Sequence, residues 1–312
     1  MGLGFLADVL QSNLLRNLGL GLLLIGCAAQ DLSGRSDDSV DSVMPGLSDS
    51  APVVAASALL FETYAEQSST VYVVTVPPNY TVGVDVRDTL QTVAAFANET
   101  GAEVVLNGGF FDPNNGKTTS YVVISGDAVA DPAENERLVG NPNLAPYLEQ
   151  ILNRSAFRRY DCGGTQRYDI VRHNTPAPTG CTLVDAIGAG PQLLPRDTSL
   201  EEGFTAMDAQ GRLVRDAIGS VQRNARSAVG LRADGTVLLV MVAQQAPTES
   251  GMTLAELAAF MQGLGVEQAL NLDGGSSASL VVQGEAVYGR LTGEGQAVMR
   301  PVKSVLTVIP AD

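Results

Sequence analysis

The sequence predicts an α+β fold in which helices flank a mixed β-sheet core. Many short β-branched runs occur with few helical patterns, and they lack the regular strand–helix alternation of a parallel sheet. Residues 90–107 and 254–271 also align without gaps, and each predicts a helix, a glycine stop, a short apolar strand and a Gly-Gly turn. We therefore predict two similar helix–strand–turn units. The alternative is two unrelated units that share common residues.

The hydrophobic pattern gives the individual elements. Alternating or β-branched segments predict strands, and apolar residues three and four apart predict helices. Asp88 and Thr253 are the predicted caps of two helices, with Glu256 completing a capping box, and Gly101 and Gly265 end these helices. The predicted strands cover residues 71–76, 82–86, 103–106, 121–124, 227–231, 236–243, 279–282, 286–288 and 303–309, and two of the predicted helices cover 89–98 and 145–153.

Length and charge limit the classes of function. A chain of 312 residues can bury a full core as one large domain or as two small ones. The formal net charge is −15, which argues against nucleic-acid binding, because that binding depends on Lys and Arg neutralising phosphates. A small anionic substrate stays compatible, since a local arginine can outweigh a distant negative field.

The N-terminal residues resemble an export signal. Residues 18–26 form an apolar run too short to span a bilayer, and its end, Leu24-Ile25-Gly26-Cys27, resembles a bacterial lipobox. We predict a signal peptide over 1–27, lipidation of Cys27, an acidic Ser-rich tether over 28–56 and one domain over 57–312. The predicted location is the periplasm or cell surface, as a membrane-anchored lipoprotein. An ordinary signal peptide or a frayed helix is the alternative.

The middle segment, residues 131–182, is predicted to be rich in loops. It contains Cys162 and Cys181, and an oxidising compartment favours a disulfide between them. A zinc site formed by both cysteines and His173 is the alternative, although it lacks a fourth ligand. The arginines of this segment indicate either a solvated face or a groove for a polyanion; they are Arg137, Arg154, Arg158, Arg159, Arg167 and Arg172.

Four motifs, in order along the chain, resemble those of the phosphodiester glycosidase family. They are NGGFFD at 107–112, GAGP at 188–191, NARSAVG at 224–230 and LDGGSS at 272–277. The resemblance spans residues 60–310, although the middle segment matches no motif. It implies a hydrolase that cleaves a sugar from a glycosyl phosphodiester. Only this reaction type carries over to a chain that we interpret as a bacterial lipoprotein.

The chemistry of that reaction assigns roles to residues. A phosphate monoester leaves with little help from an acid, so the site must bind phosphate, stabilise an oxocarbenium-like centre and orient a water. We predict Asp273 as base or charge stabiliser, Arg226 as bidentate phosphate ligand and Asn107 as the group that fixes a sugar hydroxyl or the water. Both Gly-Gly turns are predicted to form anion-binding nests. The predicted substrate-binding residues are Gly108, Gly109, Asp112, Gly190, Gly274, Gly275, Ser276 and Ser277.

Each assignment has a structural alternative. Arg226 is equally compatible with an exposed ion pair, and Asp273 and Asn107 with turns that they stabilise locally. A serine hydrolase would need His173, the only histidine, as its base, and the chain has no Gly-x-Ser-x-Gly elbow.

Together these patterns predict an exported phosphodiester glycosidase that acts on cell-envelope or exopolysaccharide material. The expected partner is a sugar-1-phosphate diester or a phosphoglycan, with no nucleic acid and with a membrane only through the lipid anchor. No cofactor or metal is predicted, and a structural divalent cation is left open. The alternative is a non-catalytic glycan- or phosphoglycan-binding protein of surface polysaccharide assembly. Retention of both Asp273 and Asn107 favours the enzyme, because binding alone needs no carboxylate facing a phosphate.

Overall fold

The computed structural model describes residues 58–311. The predicted signal peptide, the lipidation site Cys27 and the predicted tether lie outside this range. Within it, none of the helices combines the length and the apolar character needed to cross a membrane.

The fold is α+β, with far more strand than helix. The helices are α1 (Val93–Thr100), α2 (Glu136–Val139), α3 (Leu148–Leu152) and α4 (Leu254–Gly263). The strands are β1 (Leu60–Glu66), β2 (Ser69–Val76), β3 (Tyr80–Gln91), β4 (Val104–Asn107), β5 (Val122–Ile124), β6 (Asp127–Ala130), β7 (Ser155–Asp161), β8 (Gln166–Arg172), β9 (Thr182–Gly188), β10 (Gln192–Leu194), β11 (Thr205–Met207), β12 (Leu213–Asp216), β13 (Arg226–Arg232), β14 (Val237–Gln244), β15 (Val266–Asn271), β16 (Ser279–Val282), β17 (Glu285–Tyr288) and β18 (Val302–Pro310).

The strands form three larger sheets and one hairpin. Sheet I has the order β1-β2-β14-β13-β15-β10, sheet II the order β17-β16-β4-β18-β3 and sheet III the order β6-β5-β9-β7-β8, while β11 pairs with β12 alone. All strand pairs among the described residues are antiparallel, which differs from the predicted mixed sheet. Neighbours in these sheets are often distant in sequence, as β14 and β2 show.

Sheets I and II pack face to face, and a helix covers the outer face of each. Side chains of β14 show the arrangement, because Leu239 and Met241 belong to the core between the sheets, whereas Leu238 and Val240 face α4. This two-sided burial explains why all eight residues of β14 are buried. On sheet II, Phe96 of α1 packs against the outward side chains. Each large apolar side chain buried in this way contributes about 1.5–3 kcal/mol.

The first helix begins later than predicted. Residues 89–91 continue β3, where Gln91 pairs with Val302 of β18, so Asp88 does not cap the helix. Thr92 is the cap instead, and its side chain accepts from the N–H of Ala95. The second helix has the predicted capping box of Thr253 and Glu256.

The middle segment contains more strand than predicted. Its residues form the hairpin β7–β8, and β7 also pairs with β9. The predicted disulfide between Cys162 and Cys181 is present and joins the adjacent ends of β7 and β9. The alternative zinc site is therefore wrong, since both sulfur atoms are bonded to each other. His173 instead stacks on Tyr121, with ring centroids 3.5 Å apart.

Candidate active site

Asn107 connects sheets I and II at the centre of the candidate site. Its Nδ2 donates to the carbonyl oxygen of Asp273 at 2.6 Å. Its Oδ1 accepts from Ser227 Oγ at 2.6 Å and from the N–H of Ser279 at 3.1 Å. Asn107 ends β4 in sheet II, whereas Ser227 lies in sheet I. Because Asn107 is fully buried, it positions Asp273 in this structure and does not present its amide to a sugar hydroxyl or a water as predicted.

Backbone hydrogen bonds bring the two Gly-Gly turns side by side. The N–H of Asp273 donates to the carbonyl of Gly108 at 3.0 Å, and the N–H of Gly275 donates to Ala225 at 2.8 Å. Three of the motif segments, 107–112, 224–230 and 272–277, are thus linked directly. These contacts bring Asn107 and Asp273 together at one place in the fold.

The fourth motif joins the same site through Asn271 and Gly190. The N–H of Gly190 donates to the Asn271 carbonyl at 2.9 Å, and Asn271 Nδ2 donates back to the Gly190 carbonyl at 2.8 Å. Gly190 has φ = +121°, and a Cβ there would lie 2.5 Å from Glu202 Oε2 and 2.8 Å from Phe204. Glycine is therefore required for close packing beside the site.

Asp273 has the electrostatic properties of a group that exchanges protons near neutral pH. Burial raises its pKa from 3.8 to about 6, while contacts with Ser277, Arg300 and the N–H of Gly274 lower it. The residue as a whole is half-buried. The fully buried Ser277 hydroxyl, close to Asp273, has no hydrogen-bond partner among residues 58–311. Asp273 is accordingly the strongest candidate for a general base or a charge stabiliser.

Arg300 is a site residue that the sequence did not indicate. Its Nη1 donates to Ser276 Oγ at 2.7 Å, its guanidinium lies 5.0 Å from the ring centroid of Phe111, and its charge lowers the pKa of Asp273. It takes part in none of the salt bridges found among residues 58–311. A half-buried arginine with free donors beside a carboxylate suits an anionic group of a substrate.

Arg226 is not available for the predicted phosphate contact. Its guanidinium donates to four backbone carbonyls at 2.6–3.0 Å, and the residue is 2 % exposed. Burial lowers its pKa to about 10. Arg226 therefore holds the loop over 218–222 against Met252. Arg226 also forms no salt bridge among residues 58–311, so the alternative of an exposed ion pair does not fit either. The carbonyl acceptors belong to Ile218, Gly219, Gln222 and Met252.

The first Gly-Gly turn does not form the predicted anion nest. The N–H of Gly108 donates to the Ser304 carbonyl at 2.8 Å, and the N–H of Gly109 donates to Ser304 Oγ at 3.3 Å. A Cβ at Gly109 would lie 2.3 Å from the carbonyl oxygen of Gly188. These glycines thus allow protein segments to approach each other closely. In the second turn, Gly275 alone has a positive φ, and its N–H is also bonded within the protein.

Asp112 lies in a turn beside the site and is partnered there. It accepts from Arg137 Nε at 2.7 Å and from the backbone N–H of Asn114 at 2.8 Å. These donors lower its pKa, although burial raises it. Asp112 is therefore an ionised turn residue whose carboxylate is already occupied by protein donors. This makes it a weaker candidate for substrate binding than predicted.

The serine-hydrolase alternative does not fit the geometry. His173 packs on Tyr121, and burial together with Arg158 lowers its pKa. Within residues 58–311, no serine hydroxyl donates to His173, and Ser276 Oγ instead accepts from Arg300. Within residues 58–311, no group of three or more His, Cys, Asp or Glu side chains could hold a metal ion.

Solved structures resemble the fold, at low sequence identity. A zebrafish N-acetylglucosamine-1-phosphodiester alpha-N-acetylglucosaminidase catalytic domain, auto-inhibited by its pro-peptide, is 20% identical, with a TM-score of 0.57 over 83% of this chain and 85% of that one. A protein of Burkholderia pseudomallei described as exported is 19% identical, with a TM-score of 0.58 over 78% and 74%. A hypothetical protein from Synechocystis is 19% identical, with a TM-score of 0.49. The match covers 80% of this chain and 61% of that protein.

Sequence comparison identifies the family. No curated protein matches the chain significantly. The family model for phosphodiester glycosidases, in contrast, matches residues 100–309, which include all four motifs that meet at Asn107 and Asp273. The chain therefore belongs to the phosphodiester glycosidase family.

Proposed function

We propose that this protein is an exported hydrolase that cleaves a sugar from a glycosyl phosphodiester in cell-envelope or exopolysaccharide material. The observation that carries the proposal is the position of Asp273, whose pKa is raised to about 6, near the half-buried Arg300. Family membership supports the reaction type. The zebrafish relative, whose name specifies an N-acetylglucosamine-1-phosphodiester, indicates the first substrate to test.

The proposed mechanism uses Arg300 to bind the phosphate and Asp273 to activate water. The water oxygen bonds to the anomeric carbon while the bond from that carbon to the phosphate oxygen breaks. The phosphate monoester leaves with the electron pair, and its charge is balanced by Arg300. The water proton passes to the Asp273 carboxylate. Asn107 and Ser227 contribute by keeping the Asp273 backbone in place.

The experiment is a substrate panel with the purified full-length protein. Several sugar-1-phosphate diesters that differ only in the sugar are incubated with it, and free sugar and phosphate monoester are measured. We expect release from at least one diester, and N-acetylglucosamine-1-phosphate diesters are tested first. Binding of a diester without release of any sugar would replace this proposal by the non-catalytic binding protein.

The proposed location is the periplasm or cell surface, with a lipid on Cys27. The disulfide between Cys162 and Cys181 supports export, since such bonds persist in oxidising compartments. The test is fractionation of cells that express the wild-type chain or the Cys27→Ala variant. We expect the wild type in the membrane fraction and the variant outside it. Equal distribution of the two proteins would exclude the lipid anchor.

A further inference from the structure

Three arginines converge on one short loop beside the candidate active site. The carbonyls of residues 201, 202 and 203 each accept from a different arginine. Arg172 Nη2 donates to Glu201 at 3.3 Å, Arg154 Nε to Glu202 at 3.1 Å and Arg215 Nε to Gly203 at 3.2 Å. The loop thereby fixes three cations from β8, β12 and the segment between α3 and β7 within a small region.

These arginines keep donors for a further ligand. Both terminal nitrogens of Arg154 and of Arg215 lack a hydrogen-bond partner among the described residues. None of these four nitrogen atoms is a fully buried atom without a partner, so a ligand can reach them. None of the three arginines forms a salt bridge within residues 58–311. Burial, Arg215 and Arg172 together lower the pKa of Arg154 to about 9, although Glu202 acts against them. The charges of Glu202 and Glu201 offset part of the charge of Arg154 and Arg172, but the three neighbouring cations are not held in ion pairs within the described residues and can contact a further anion.

Aromatic side chains link this patch to the candidate active site. The Arg154 guanidinium lies 3.6 Å from the ring centroid of Phe204 and 6.0 Å from that of Phe110. Phe110 directly follows the Gly108-Gly109 turn, and Phe204 packs next to Gly190. Arg215 in turn stacks on Tyr147 at 4.6 Å. Flat aromatic faces and arginine forks are the groups that bind sugars and phosphates in combination.

We propose that Arg154, Arg172 and Arg215 form a second anion site, which binds a phosphate of a phosphoglycan at a repeat next to the one being cleaved. This inference rests on the proposed function and narrows its substrate from a single diester to a chain with repeated phosphates. The site contributes to binding of long substrates and takes no part in bond cleavage. It differs in location from Arg300, which contacts Ser276 of the other turn.

The test compares ligands with different numbers of phosphates on the full-length protein. The probes are phosphonate analogues of one sugar-1-phosphate methyl diester and of its oligomers with two and three phosphates, in which carbon replaces the cleavable anomeric oxygen. Calorimetry gives their dissociation constants at low and at physiological salt. We expect the dissociation constants of the longer oligomers to be at least about tenfold lower than that of the single unit. This difference in affinity should become smaller as the salt concentration is raised.

Variants assign the advantage to the arginines. Arg215→Gln and Arg172→Gln should each reduce the preference for the longer oligomer about three- to tenfold and leave the affinity for the single unit unchanged. Arg215→Lys keeps the charge and should keep most of the preference. The matched control is Arg212→Gln, which removes the same charge from an exposed position just before β12 and should change nothing. Thermal unfolding of each variant confirms that it is folded.

The outcomes separate this inference from the proposed function. Equal affinity of the wild type for all oligomers would mean that the three arginines only fix the loop. An equal loss in Arg212→Gln would mean that overall charge sets the preference. Either result would overturn the inference, even if sugar is released from diesters. Arginine-dependent preference for the longer oligomers would support the anion site even if no sugar were released, in which case only the hydrolase proposal would fail.

Discussion

At the scale of residues, the raised pKa of Asp273 connects the site to the pH of its surroundings. Burial is the main cause, and Arg300 and Ser277 offset only part of it. Because folding raises this pKa, protonation of Asp273 favours the folded state at low pH, and this contribution is lost as the pH rises through about 6. The ionised carboxylate that the mechanism needs is therefore the form in which Asp273 no longer stabilises the folded state.

We expect Asp273→Asn to lower kcat about 10²–10⁴-fold with little loss of substrate binding. The amide keeps the size of the side chain and removes the charge that accepts the proton. In the wild type, kcat/KM should fall as the pH drops through about 6. Rates on one sugar-1-phosphate diester across pH 4–9, a range chosen to bracket that pKa on both sides, give both quantities.

Asp112→Asn is the control for this substitution, because Asp112 is paired with Arg137 in a neighbouring turn. It should retain most of the activity. Undiminished turnover by Asp273→Asn would show that Asp273 is structural.

Arg226 leads to a different expectation, because its donors bind backbone carbonyls. Arg226→Met should lower the free energy of unfolding by about 3 kcal/mol or more, since several carbonyls lose their partners. The KM of the protein that remains folded should not change. Urea unfolding measures the first effect and steady-state kinetics the second, with the exposed Arg212→Met as reference. A large rise in KM without loss of stability would restore the predicted phosphate role.

The sequence indicated some of these residues for physical reasons that hold in the structure. Asn107 and Asp273 follow short apolar strands at glycine turns, and such turns place side chains at the ends of a sheet. The predicted phosphate contact of Arg226 does not fit the structure. A single sequence does not show whether a guanidinium faces solvent or buried carbonyls. Arg300 gave no signal, since it stands alone between exposed residues just before β18 and reaches Ser276 only through the tertiary fold.

At the scale of elements, the disulfide joins the ends of β7 and β9. It closes a loop with a sequence separation of 19 residues. We expect Cys162→Ser with Cys181→Ser to lower the free energy of unfolding by about 3 kcal/mol in the chain-entropy model. Chemical unfolding of the double variant and of the wild type, both without reductant, tests this value. Equal stability of the two proteins would contradict the prediction.

The hairpin β7–β8 shows why the middle segment was predicted to be loop. Its strands carry Arg158, Arg159 and Arg167, and charged residues of this kind are uncommon in strands. The structure accommodates them singly, for example through the pair of Arg159 with Asp185 of β9 at 2.6 Å. Asp185 belongs to another strand, so the local pattern around Arg159 does not contain its partner. Strands made mainly of apolar and β-branched residues, such as β16 and β18, were predicted closely.

At the scale of the whole molecule, the site depends on how closely segments of different sheets approach. A Cβ at Gly109 would lie 2.3 Å from the carbonyl oxygen of Gly188, which ends β9 in sheet III. We expect Gly109→Ala to separate these segments and to lower the free energy of unfolding by about 1–3 kcal/mol. The substitution should also reduce the kcat of the protein that remains folded. Kinetics normalised to folded protein measure the effect.

Gly263→Ala is the matched control, because no atom lies within 4 Å of a Cβ at this last residue of α4. Alanine should be neutral there or stabilise the helix by up to about 1 kcal/mol. Full activity of Gly109→Ala would show that the contact with Gly188 can relax without affecting Asp273.

The overall class of the fold could be predicted, but the sheet order could not. Strand-rich patterns without strand–helix alternation correctly indicated α+β. The pairing of β2 with β14 joins residues more than half the chain apart, and short strands of similar composition offer many equivalent pairings. The similarity of segments 90–107 and 254–271 stays a prediction about their relationship, although α1 with β4 and α4 with β15 follow the same order.

The hydrogen bonds of Asn107 have a consequence for how the protein tolerates mutation. This one amide spans the seam between sheets I and II, so the height of Asp273 above the sandwich is set by the spacing of the two sheets. A core substitution such as Leu239→Ala in β14 would let the two sheets shift relative to each other by fractions of an ångström. We expect kcat to fall at smaller losses of core packing than those that unfold the protein, so that the rate of turnover reports on the packing of the core.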